Sequence, residues 1–150
     1  MAQAADELVL DASIGIKWHL ADEEHSDLAQ NLLRQYRTGD VGLVAPAHIH
    51  YEVFNALLVA SLLRRPRLTP EDAIAATDEF LRLAIPTVTD DALLRAARAL
   101  VYRWGCAFYD GLYLALAERL NRRLITADRK LYTLVSTHPL VLWITDYRKR

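Results

Sequence analysis

The sequence predicts an α/β domain of three layers, with helices on both faces of a central, mostly parallel sheet. Three observations carry this. Short apolar or β-rich runs at residues 8–10, 41–45, 85–88, 123–126 and 141–144 alternate with longer segments of helical periodicity, the pattern of repeated β-α units. Leu8, Val9 and Leu10 show no apolar-polar alternation, as suits a strand buried on both faces. Acids follow two of the runs, Asp11 and Asp128, at the carboxyl ends where open α/β sheets bind ligands. Right-handed crossovers set those ends along one edge.

Taken in order, the first strand ends at Asp11. Ser13 is then the expected cap of a helix carrying Ile14, Trp18 and Ala21. A second helix over 26–37 buries Leu28, Leu32 and Leu33 and stops at Gly39. After the strand at 41–45, Pro46 suits the first turn of a long helix reaching Arg65, with Ile49, Val53, Ala56, Leu57, Ala60 and Leu63 as its core stripe. Thr69, Pro70 and Glu71 supply a cap, a first-turn proline and an early acid for the next helix. A strand at 85–88 precedes a helix over about 90–104 that Gly105 stops. The helix opening near Phe108 carries Asp110 ahead of Leu114 and Ala117, which turns its carboxylate toward the interior. The strand at 123–126, a short helix through Leu131 and Leu134, the strand at 141–144 and a solvated Arg148-Lys149-Arg150 tail complete the chain.

One domain is expected over residues 1–150, since 150 residues bury a sufficient core without staples. At 53% hydrophobic and 25% charged the composition is globular and excludes a disordered chain. A net charge of -1 argues against a binder that relies on bulk positive charge, although arginines cluster at 64–67, 119–123 and the carboxyl terminus. The single Cys106 forms no internal disulfide and reads as a small buried hydrophobe. No leader-like amino terminus or membrane-length apolar run is evident, so a cytoplasmic protein without membrane contact is expected.

The chemistry lies with the acids. Asp11, Glu52, Asp110 and Asp128 are an all-oxygen donor set of the kind that holds Mg2+ or Mn2+, and burying such charges without a cation is costly. A bound cation acidifies water for attack on a phosphodiester, and Glu52 or Asp128 is the candidate to orient that water or take its proton. Singly, each acid also has an ordinary reading. Asp11, Asp110 and Asp128 suit helix caps or first turns, and Glu52 suits a solvated helix face.

Four segments, VLDASI at Asp11, HYEVFNAL around Glu52, FYDGLYLALAE at Asp110 and LITADRKLY at Asp128, together resemble the PIN-domain ribonucleases, and most of all the VapC toxins of toxin-antitoxin pairs. The resemblance spans residues 8–144. It implies a PIN-like fold and a Mg2+ or Mn2+ dependent endoribonuclease with Asp11, Glu52 and Asp110 as core ligands and Asp128 completing the cluster. It also implies supporting roles for Ser13, Asn55 and Thr126, an RNA substrate, a cognate antitoxin protein and a homodimer. Arg129, beside Asp128, is the candidate RNA phosphate contact. A housekeeping PIN nuclease of RNA processing is the alternative.

Two other classes fit the sequence less well. On a strand, His48, His50 and Glu52 would share a face and suit zinc, but helical periodicity makes both histidines surface or packing residues. A receiver-like signalling module would need paired acids ending the first strand, whereas Asp6 and Glu7 precede it. His19, His25 and His138 are isolated. Trp18, Trp104 and Trp143 read as core or interface anchors, because none lies in an interleaved basic and aromatic stretch, and Tyr109 reads as a packing residue.

Overall fold

The computed structural model describes residues 6–147. The expected tail at 148–150 lies outside them. Five parallel strands, β1 (Asp6–Leu10), β2 (Val41–Pro46), β3 (Thr87–Val88), β4 (Leu124–Thr126) and β5 (Val141–Trp143), form one sheet in the order β3-β2-β1-β4-β5. Among the described residues seven helices join and cover it: α1 (Ala12–Lys17), α2 (Ser26–Arg37), α3 (Ile49–Leu62), α4 (Pro70–Arg82), α5 (Asp91–Trp104), α6 (Phe108–Leu120) and α7 (Arg129–Leu134). The three-layer α/β/α architecture is the one the sequence predicts. β1 is the central strand, and its Leu8, Val9 and Leu10 are fully buried, which is why they do not alternate.

Local chemistry accounts for most of the boundaries. Thr69 caps α4 by accepting from the Asp72 amide, with Pro70 in the first turn, and Asp90 caps α5 through the Leu93 amide. α5 stops at Gly105, whose φ of 67° places it in the left-handed region. α6 packs along α5 and reaches β1, β2 and β4. Gly111 makes that approach possible, because a Cβ there would lie 2.9 Å from the Ala97 carbonyl oxygen. Gly111→Ala is therefore expected to destabilise the protein by about 1–2 kcal/mol, since the clash outweighs the better helix propensity of alanine. Urea unfolding checks this; an unchanged midpoint would show that α5 and α6 slide apart freely.

Several expectations are corrected. Pro46 does not open a helix but ends β2. The Ala45 and Ala47 amides on either side of it donate to the Pro86 and Val88 carbonyls on the β3 side, so the nitrogen of Pro46 faces β1 beyond that strand's last pairing with β2 at Val9 and Val44, where no donor is needed. α3 ends at Leu62 rather than Arg65, with Leu63 already extended; Pro66 ahead has no amide to donate to the Leu62 carbonyl and disfavours helical backbone at Arg65, so the helix could not run on through it. Ser13 is not a cap but lies inside α1, with Asp11 at the cap position, and Ala21 lies beyond the helix. The strand expected at 85–88 shrinks to two edge residues. Ile144 leaves β5 to open a 3-10 turn (Ile144–Asp146).

Candidate active site

Asp11 stands at the carboxyl end of the central strand and is almost wholly buried, at 4% exposure. Its Oδ2 accepts from Ser13 Oγ at 2.5 Å and from Thr126 Oγ1 at 2.8 Å. Those two hydroxyls are fixed in turn: the Ala127 amide donates to Ser13 Oγ at 3.0 Å, and the Asp128 amide to Thr126 Oγ1 at 3.0 Å. The turn after β4 is thereby tied to the turn after β1. This gives Ser13 and Thr126 a defined local part, the orientation of the Asp11 carboxylate. Burial nevertheless raises the Asp11 pKa to about 7; the two hydroxyls oppose the rise, and repulsion from Glu52 and Asp110 adds to it.

Asp110 sits in the first turn of α6, half-buried and outside any capping role, since the cap position is Ala107 and makes no side-chain bond. Burial, then repulsion by Asp128 and Glu52, raises its pKa to about 6; His48 and Lys130 oppose this only weakly. Asp128 does cap α7, its Oδ1 accepting from the Leu131 amide, so the ordinary reading holds there in addition to its place beside the other acids. Glu52, on α3, accepts a hydrogen bond from Tyr113 Oη at 3.0 Å.

His48 takes the packing role expected of it, and takes it beside the acids. It is buried and one helical turn from Glu52, with Nε2 2.7 Å from Glu52 Oε1, an approach too bent for a good hydrogen bond; its Nδ1 has no hydrogen-bond partner. Its ring stacks on Tyr109 at 5.2 Å and leans on Tyr113 at 4.8 Å. Tyr109 is thus no core residue; it is 58% exposed and forms one wall of the acidic edge. The missed signals were spacings: His48 lies four residues before Glu52, and Tyr113 three after Asp110. Asn55 is exposed further along α3 and takes no part in this hydrogen-bond network. Arg129 is exposed and turned toward Trp143 and Glu24 rather than toward the acids.

The four acids share one electrostatic neighbourhood without converging on one point. Among the described residues, no three His, Cys, Asp or Glu side chains stand close enough together to hold a metal ion as they are. The cause is visible in their present partners: Glu52 is turned to His48 and Tyr113, Asp11 to Ser13 and Thr126, and Asp128 to its own helix. The donor chemistry, by contrast, fits a hard divalent cation. These are oxygen ligands, two with protonation driven upward by burial and mutual repulsion, and none of the four forms an ion pair with a lysine or arginine among the described residues.

A parallel α/β sheet with mutually repelling carboxylates along its carboxyl edge defines a protein built to bind at that edge. The chain belongs to the PIN-domain family, whose profile matches residues 8–135. It is 30% identical over 128 residues to Ribonuclease VapC3 of Pyrobaculum aerophilum, covering 83% of this chain and 91% of that protein. It is likewise 30% identical over 130 residues to Ribonuclease VapC1 of Mycobacterium tuberculosis, covering 84% and 89% respectively. In fold it resembles the crystal structure of PAE2754 from Pyrobaculum aerophilum, with a TM-score of 0.64, 22% identity, and coverage of 97% of this chain and 93% of that one. Among the described residues no helix is long and apolar enough to cross a membrane.

Proposed function

We propose that this protein is an endoribonuclease dependent on Mg2+ or Mn2+, and the toxin of a toxin-antitoxin pair. The observation that carries the reading is a set of clustered acids without lysine or arginine partners at the sheet edge of a chain similar to two proteins named ribonuclease VapC. Asp11, Glu52 and Asp110 would hold the cation, with Asp128 completing the set. When bound, such a cation polarises a phosphoryl oxygen and acidifies water. The chain's own residues supply the rest. Ser13 and Thr126 fix the Asp11 carboxylate in one orientation. Tyr113 holds Glu52 in place as a donor, and Glu52 or Asp128 is the group within the cluster to orient the attacking water or accept its proton. Arg129 is assigned to RNA phosphate and Asn55 to a supporting place on α3.

We assign residues 1–150 to one cytoplasmic nuclease domain, partnered by a cognate antitoxin and by a second copy of itself. Tyr51, Leu58 and Leu62, exposed on α3, support the homodimer by offering an apolar stripe. Incubation with total RNA in Mg2+, in Mn2+ and in chelator tests the activity: cleavage in the first two and none in the third is expected. Intact RNA under every condition would overturn the reading. A small adjacent gene for a DNA-binding antitoxin would separate the toxin from a housekeeping RNA-processing nuclease.

A further inference from the structure

The sequence reads Trp143 as a core or interface anchor, because it lies in no stretch where basic and aromatic residues interleave. The fold supplies them from elsewhere. Trp143 is the last residue of β5 and pairs in register with Thr126, the residue whose hydroxyl holds Asp11. Neighbouring strands lie about 4.8 Å apart, so the indole belongs to the same carboxyl edge as the acids, one strand outward from β4 and two from β1. Three side chains gather on it. Tyr132, from α7, lies 5.2 Å away between ring centroids, and His25, from the turn before α2, meets it edge-on at 6.0 Å. The Arg129 guanidinium lies over the indole, 5.3 Å from its centroid. Arg129 and Tyr132 are three apart on α7 and so share the face turned to Trp143.

This group is not simply core. Trp143 packs against the core but is only half-buried, and the Arg129 side chain is 71% exposed. The ion-pair partner of Arg129 is Glu24, at 4.0 Å and itself 72% exposed, a contact of the kind that contributes little to stability. An indole beside an exposed guanidinium and two further aromatic rings is the combination that stacks unpaired bases and holds the adjoining phosphate.

We propose that Trp143, flanked by Tyr132 and His25, is a base-stacking subsite for single-stranded RNA, with Arg129 exchanging Glu24 for the phosphate next to the stacked base. This rests on the ribonuclease reading above. The nucleotide so held lies to the β5 side of the acidic cluster. Purines are favoured there over pyrimidines through their larger stacking surface.

The test uses the full chain carrying Asp110→Asn, so that bound RNA stays intact, and reads the fluorescence anisotropy of a labelled single-stranded oligoribonucleotide in Mg2+. Adding Trp143→Leu is expected to weaken binding by about tenfold or more, while Trp143→Phe, which loses comparable packing but keeps an aromatic face, stays within about threefold of the parent. Arg129→Gln is expected to flatten the dependence of log affinity on log salt by roughly 0.7, one phosphate contact on a single strand. Equal affinities for the Leu, Phe and parent proteins would overturn the subsite while leaving the ribonuclease reading intact. Equal losses in Leu and Phe would do the same, since packing alone would then be the cause; thermal melts of both variants confirm that the comparison is between folded proteins. Failure of the parent to bind RNA, together with failure of the unsubstituted protein to cleave it, would overturn both.

Discussion

Asp110→Asn is expected to abolish RNA cleavage, by more than about a hundredfold, while leaving the metal-free protein at least as stable as the parent. Two forces on the Asp110 carboxylate oppose each other. Its place in the first turn of α6 favours a negative charge by about 0.3–1 kcal/mol through the helix dipole. Burial and repulsion from Asp128 and Glu52 disfavour it enough to raise its pKa to about 6, a cost of about 1–2 kcal/mol once partial exposure to solvent is discounted. The second effect is larger, and asparagine keeps the shape while removing the charge. No capping bond is lost, because the Asp110 side chain makes none. Cleavage assays and thermal melts on the same preparations check both halves. Retained cleavage would remove Asp110 from the site, and a strongly lowered melting temperature would reassign it to the helix terminus.

In chelator, the melting temperature is expected to fall as pH rises from about 4 to about 8, and Mg2+ or Mn2+ is expected to restore it at the alkaline end. Asp11 and Asp110 have folded-state pKa values of about 7 and about 6, both raised from the ordinary 3.8. A raised carboxyl pKa contributes stability that is complete below the unfolded value and lost as pH climbs through the folded one, so the loss spans this window. Its size is on the order of a few kcal/mol, most of it from the fully buried Asp11. Other groups act differently. Burial lowers the His19 pKa, so its contribution is lost as pH falls and runs the opposite way. Asp90, held at about 2 chiefly by its hydrogen bond from Arg119, loses its contribution mainly below the window. The decisive quantity is therefore the difference between the parent and an Asp11→Asn, Asp110→Asn double variant, which should show neither the alkaline loss nor the rescue. Binding at a hundred times the dissociation constant stabilises by about 2.7 kcal/mol, readily seen in a melt. A parent protein whose melting temperature ignores both cations at pH 8 would leave the carboxylates without a metal role.

The helices with a strong local signature were legible in the chain. Thr69-Pro70, Asp90 and Gly105 mark helix ends by chemistry that works within a few residues, and the structure leaves those ends where the sequence puts them. Pro46 fits the sequence pattern of a helix start as well as that of a strand end, because a proline is acceptable wherever its missing amide has no partner to meet. Whether that is so depends on what runs alongside: for Pro46, the point at which β1 ends.

The acids divide in the same way. Their residue types, their order and the strand ends they follow are properties of the chain, and together they sufficed to indicate the fold and the family. Which donors each carboxylate faces was decided only by packing. Ser13 and Thr126 are 113 residues apart yet both hold Asp11, and Tyr113 reaches Glu52 from another helix. The His48 contact with Glu52 was within reach of sequence reasoning, since one helical turn separates them, but its burial under Tyr109 was not. Of the grouping of Trp143 with Arg129, Tyr132 and His25, the chain shows only the three-residue spacing of Arg129 and Tyr132. Periodicity and end chemistry act over a few residues and can be read from a chain. Desolvation, charge repulsion and ring stacking act between whatever the fold sets side by side, and only the folded chain fixes them.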